Sequence, residues 1–108
     1  MSTLAFIPAR SGSKGVIDKN IRTLDGIPLL AYSVHIAQVC NEHGLFSDVL
    51  VSTDSLSYLE KIKKTGYNNK YLRPKELASD QSPTIDAVIH ALDYYAKEDK
   101  FFDNVMIL

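Results

Sequence analysis

The residues best suited to chemistry lie between positions 7 and 20. Ile7-Pro8-Ala9-Arg10-Ser11-Gly12-Ser13-Lys14-Gly15 is followed by Lys19-Asn20, which puts three cations, two glycines and two serines into one short stretch. A loop of this kind can turn several backbone N–H groups and side-chain donors toward one anionic centre, and a triphosphate is its natural occupant. It is not a Walker loop, because Gly12-Ser13-Lys14-Gly15 does not fit Gly, four residues, then Gly-Lys-Ser/Thr. Nor is it the G-x-G-x-x-G dinucleotide fingerprint. On spacing alone, a surface loop with solvated lysines accounts for it equally well.

Other candidates are fewer. Arg73 follows an extended segment and precedes Pro74, so its direction is partly fixed; the plain alternative is an ion pair with Glu76 or Asp80. Ser82 and Thr84 flank Pro83 where a helix should begin, and N-capping is a sufficient reason for the serine. Asp54 has two readings, a ligand for metal or ribose and a helix cap. No His, Cys and carboxylate group has zinc-ligand spacing. His35 and His90 fall within helices, His43 falls near a helix end, and Cys40 reads as a small apolar side chain.

The elements that must hold these residues alternate strand and helix. Leu4–Ile7 is the first strand. Asp25-Gly26 is a turn, with Pro28 at a favoured first-turn position. A helix runs from Leu29 to about Asn41, with Leu30, Val34, Ala37 and Cys40 on one stripe and Gly44 as its stop. Asp48–Ser52 is a strand apolar enough to be covered on both faces. Thr53-Asp54-Ser55 caps a helix with Leu56, Leu59, Ile62 and the Lys63 methylenes inward, ended by Gly66. Asn69–Leu72 is read as a short edge strand. The helix after Ser82-Pro83 carries Ile85, Val88, Ile89, Leu92 and Tyr95, and Val105–Leu108 is the last strand.

This alternation predicts an α/β fold: a Rossmann-like three-layer αβα arrangement with a mostly parallel sheet, truncated after the fourth strand, and ligands at the carboxyl ends of the strands. Both the glycine-rich loop and Thr53-Asp54 leave strands at that edge. Val105–Leu108 would be a bare apolar edge, which proteins usually blunt. The chain therefore reads as the front part of a longer protein, or as one that covers the edge by association.

The 108 residues suit one domain, which buries roughly two-thirds of its unfolded surface. A net charge of −1 leaves no electrostatic footprint for nucleic acid or an anionic membrane. No apolar run approaches the ~18 residues of a spanning helix, and the start lacks a signal peptide's basic region. One cysteine forms no internal disulfide, which suits a cytoplasmic protein.

I-P-A-R-S-G-S-K-G-x-x-x-K-N-I followed by L-D-G-I-P-L-L-A-Y-S closely resembles the amino-terminal signature of the CMP-sialic acid synthetases, the acylneuraminate cytidylyltransferases. The resemblance continues through V-S-T-D at 51–54, L-R-P-K-E-L-A-S-D at 72–80 and I-D-A-V-I-H-A-L at 85–92, and so spans essentially the whole chain. It departs at Ile17-Asp18, where the family commonly has a proline, and at Gly26-Ile27-Pro28-Leu29, where G-K-P-L is frequent. Neither departure removes Arg10, Lys14 or Lys19.

The resemblance implies that CTP is coupled to a nine-carbon acidic sugar and pyrophosphate is released, with residues 1–108 as the CTP-binding portion. Arg10 and Lys14 would hold the phosphates, with Lys19 close to the α-phosphate; Arg10 and Lys19 are the catalytic candidates. Ser11, Gly12 and Ser13 would supply close backbone approach and hydroxyl donors, and Asn20 would lie near ribose or phosphates. Arg73 would face the cytosine, and Ser82 and Thr84 cytosine or ribose. Magnesium ligands, a sugar-side segment and a dimerisation excursion would lie downstream, making the full-length form a homodimer. Two alternatives stay open: a nucleotidyltransferase of the same fold for Kdo, pseudaminic or legionaminic acid, and a non-catalytic nucleotide-binding or dimerisation fragment.

Overall fold

A computed structural model describes residues 2–11, 23–24, 27–63, 67, 71–79 and 81–108. Strand β1 (Thr3–Pro8) is central, and pairs in parallel with β4 (Asp48–Ser52) on one side and with β5 (Asn104–Ile107) on the other. Two further short strands, β2 (Thr23–Leu24) and β3 (Ile27–Pro28), form an antiparallel ribbon before helix α1 (Leu29–Glu42). Helices α2 (Leu56–Lys63) and α3 (Thr84–Ala96) follow β4.

Successive residues of a strand face opposite sides of its sheet, and β1 uses both sides. Ala5 and Ile7 pack with Val49 and Val51 against Leu30, Val34 and Ala37 of α1 and Tyr58 and Ile62 of α2. Leu4 and Phe6 pack with Leu50 against Ala87, Val88, Ala91 and Tyr95 of α3. The α/β/α layering expected from the alternation is therefore present, with one core on each face. Helix α1 stops as expected at Gly44, whose φ of +80° suits a residue without Cβ. Leu45 N–H donates to the Cys40 carbonyl and Gly44 N–H to that of Asn41, the bond pair of a Schellman stop.

Several local expectations are corrected. Tyr71 and Leu72 are not a strand, Asn69 and Lys70 lie outside the described residues, and the described parallel sheet has three strands. Tyr71 instead drops its ring into the α3-side core, and the backbone pairs once near there, Arg73 N–H to the Thr53 carbonyl at 2.7 Å. Pro28 closes β3 rather than opening α1.

In α2 the buried pair is Tyr58 and Ile62, Leu59 is half-buried, and Leu56 and Lys63 are exposed. Ser55 is the reason: its hydroxyl accepts Tyr58 N–H at 3.2 Å, which makes Leu56 the first helical residue and turns it to solvent. In α3 the inward face is Ala87, Val88, Ala91 and Tyr95, whereas Ile85 and Ile89 are 58% and 51% exposed. The two alanines, one turn apart, let the helix lie close to Leu4 and Phe6. Ser82 is not the cap of α3. Pro83 holds that position, with no side-chain cap. Gly66 and Asp80, like Asp25 and Gly26, lie outside the described residues.

Candidate functional site

The chain passes from β1 to a neighbour on one side and returns to the other, so the strand order reverses at β1. In open α/β sheets, ligands bind outside the carboxyl ends at such a reversal. Four buried polar residues gather there: Ser52, Thr53, Asp54 and Arg73. Pro8 ends β1, and Ala9 N–H continues the pairing to the Ser52 carbonyl at 2.9 Å. The cost of burying the polar groups is met by mutual bonding, and among the described residues no buried side-chain nitrogen or oxygen lacks a partner.

Arg73 is 5% exposed and ties the end of β4 to the turn at Leu77. Its Nε donates to Ser52 Oγ at 2.8 Å and its Nη2 to the Ser52 carbonyl at 2.9 Å, while Nη1 reaches the Leu77 carbonyl at 3.4 Å. These bonds replace the ion pair with Glu76 that the sequence left open. Burial lowers the guanidinium pKa; Tyr71 and Asp54 oppose that shift, and Arg10 adds to it through like charge. Arginine stays protonated through such shifts, so this is a fixed buried cation. Beside it, burial pushes the Tyr71 hydroxyl up to about 12, against the pull of Arg73 and Ser52. That hydroxyl shares a 2.6 Å hydrogen bond with His90 Nδ1.

Asp54 does not cap α2, where Ser55 does, and among the described residues it belongs to no group of three or more His, Cys, Asp or Glu. Ser11 donates twice to it, its N–H to Oδ1 at 2.8 Å and its hydroxyl to Oδ2 at 2.8 Å. Lys75 Nζ, on a single turn of 3-10 helix (Lys75–Leu77), stands 3.6 Å from Oδ2. Burial alone would raise the Asp54 pKa. The Ser11 bonds, the bond from its own N–H and the Lys75 charge outweigh it and hold the carboxyl below its ordinary range.

The structure thus brings Arg10, Ser11 and Arg73 of the expected set to one place. Arg10 is half-buried directly after β1, close enough for its charge to act on Arg73. Ser82 joins through the 3-10 turn, where its hydroxyl donates to the Glu76 carbonyl at 3.0 Å and pairs with Ser79 Oγ at 2.8 Å. Thr84 is exposed at the first position of α3, and no hydrogen bond links it to the cluster among the described residues. Gly12, Ser13, Lys14, Lys19 and Asn20 lie outside the described residues. Ser52 and Lys75 belong to the cluster although their spacing carries no signal. Only the meeting of the chain's three segments in space reveals them.

No group of three or more His, Cys, Asp or Glu could hold a metal among the described residues, and both Asp54 oxygens accept from Ser11.

A family model described as cytidylyltransferase matches residues 4–101. The chain belongs to the cytidylyltransferase family. Among its relatives, a CMP-N,N'-diacetyllegionaminic acid synthase of Legionella pneumophila is 38% identical over 108 residues, covering 100% of this chain and 45% of the relative. An N-acylneuraminate cytidylyltransferase of Escherichia coli is 40% identical over 98 residues, 91% of this chain and 22% of the relative. A pseudaminic acid cytidylyltransferase of Campylobacter jejuni is 33% identical over 108 residues, 100% of this chain and 45% of the relative. The chain therefore spans less than half the length of each of these cytidylyltransferases.

Proposed function

We propose that this chain is the CTP-binding portion of a nucleotidyltransferase that couples CTP to a nine-carbon acidic sugar. The observation that carries the reading is the convergence of Arg10 and the buried Arg73 at the carboxyl ends of β1 and β4, in a chain of the cytidylyltransferase family. In the reaction, the sugar's anomeric hydroxyl attacks the α-phosphorus, the bond to the bridging oxygen breaks, and pyrophosphate leaves. Charge develops on the α-phosphate and the leaving group, so fixed cations and N–H donors act most strongly there.

Arg10 and Lys14 serve as phosphate cations in this reading, with Lys19 at the α-phosphate. Gly12, Ser13 and Asn20 line the triphosphate and ribose. Three Arg73 donors are engaged by Ser52 and Leu77, which fixes the plane of a guanidinium whose other N–H bonds suit the carbonyl oxygen and N3 of cytosine. Ser82 and Thr84 lie on the ribose or base side. The sugar is assigned as a class only, because the relatives' names span legionaminic, neuraminic and pseudaminic acids.

Calorimetric titration of the chain with CTP in magnesium buffer tests the reading, with UTP and ATP as controls and Lys14→Ala alongside. CTP-selective binding that Lys14→Ala abolishes supports it. Equal binding of the three nucleotides, or none by a folded chain, rejects it.

A further inference from the structure

A carboxylate beside a triphosphate site is an electrostatic liability, since like charges a few ångströms apart repel even in a polar setting. Asp54 occupies that place, 8% exposed, where β4 ends and one side chain away from the start of the basic loop. It does not serve to neutralise Arg73 directly, whose guanidinium bonds go to Ser52 and Leu77. Nor does it cap α2, a role filled by Ser55. Among the described residues its carboxylate accepts from the two Ser11 donors and its own N–H, and stands beside the exposed Lys75 ammonium.

Two bonds between one carboxylate and one serine, each 2.8 Å, fix both the position and the orientation of that serine. They also commit the Ser11 N–H and O–H to Asp54. Ser11 is the residue at which the chain has left β1 and the basic loop begins. Ala9 N–H on the Ser52 carbonyl fixes the residue two before it.

We infer that Asp54 is a positioning residue for the phosphate loop: it binds no substrate, and it pre-sets the loop through Ser11, which acts as the held end and not as a phosphate donor. This rests on the CTP-site reading above. Holding a binding segment's end in place before the ligand arrives lowers the entropy lost on binding.

The test is CTP titration of the full chain carrying Asp54→Ala, Asp54→Asn, Ser11→Ala or Asp103→Ala. Asparagine keeps both bonds, accepting the Ser11 N–H on its amide oxygen and donating its amide N–H to Ser11 Oγ, while losing the charge. Asp54→Ala is expected to weaken CTP binding about tenfold, a size ordinary for a lost charge-assisted bond pair. Asp54→Asn should restore binding to within about twofold of wild type, and Ser11→Ala, which keeps the N–H bond, should fall between. Asp103→Ala should bind as wild type.

Asp54→Ala binding CTP like wild type overturns the inference alone. So does Asp54→Asn binding as weakly as Asp54→Ala, because charge and not geometry would then matter. Should Asp54→Ala fail to fold, Ser11→Ala against Asp54→Asn decides: unchanged affinity in Ser11→Ala overturns the role. Wild type that binds no CTP rejects the site reading itself, and the inference with it.

Discussion

The two ends of β1 carry the same small device in opposite surroundings. Ser11, just past the carboxyl end, gives its N–H and hydroxyl to Asp54; Ser2, just before the amino end, gives its N–H to Asp103 Oδ2 at 3.0 Å and its hydroxyl to the same oxygen at 3.3 Å. Both carboxyls sit below their ordinary pKa, Asp103 chiefly through the Ser2 N–H and hydroxyl, and Asp54 because the Ser11 bonds overcome its burial. Asp103 is exposed, and with Asp103 N–H on Ser2 Oγ it pins β5 to β1. Asp54 is buried close to Arg73 and within 3.6 Å of the Lys75 ammonium, at the edge where the strand order reverses. One motif thus serves two purposes. Desolvation and surrounding cations, not the motif, distinguish a candidate site from a staple.

The largest effect should follow from breaking the carboxyl end at Arg73. Arg73→Ala would leave the Ser52 hydroxyl without its buried donor and open a cavity, so urea unfolding should show a loss of about 3 kcal/mol. Stability within error of wild type would show that the two ends are equally dispensable. Next comes the contrast of the aspartates. Asp54→Ala should cost CTP affinity about tenfold, whereas Asp103→Ala should leave titration isotherms unchanged and move the unfolding midpoint less.

Acid should erase the difference. A carboxyl whose folded pKa is depressed contributes stability that is complete above its unfolded pKa, about 3.9 for Asp, and that fades as pH falls through the lower folded value. Both contributions should therefore be fully present and the melting temperature independent of either aspartate's titration between about pH 5 and 8, with a drop only in stronger acid. Asp54→Asn should make that acid limb shallower. The smallest effect is assigned to Lys75→Ala: an exposed ammonium 3.6 Å from Asp54 is worth about 0–1 kcal/mol, to be read from the same unfolding curves.

Much of this arrangement was legible in the residues. The apolar runs at 4–7 and 48–52 marked strands, the second of them covered on both faces, and Gly44 marked a helix stop, because burial and positive φ each leave a direct compositional trace. The inward faces of α2 and α3 were less legible. Their phase depends on Ser55 as a cap and on alanines admitting close approach, and Ile85 and Ile89 outweigh Ala87 and Ala91 in any hydrophobic pattern. At the site, Arg10, Ser11 and Arg73 stood out by type and position. The partnership of Ser11 with Asp54 did not, since 43 residues separate them and only the register of β1 on β4 brings them together.

The most direct measurement is the set of backbone amide shifts of the chain on addition of CTP. A CTP site at the carboxyl end of β1 predicts saturable shifts at Ser11, Asp54 and Arg73, with none at Ser2, Asp103 or Asn104. Shifts confined to the amino end, or equal with CTP and ATP, would contradict it.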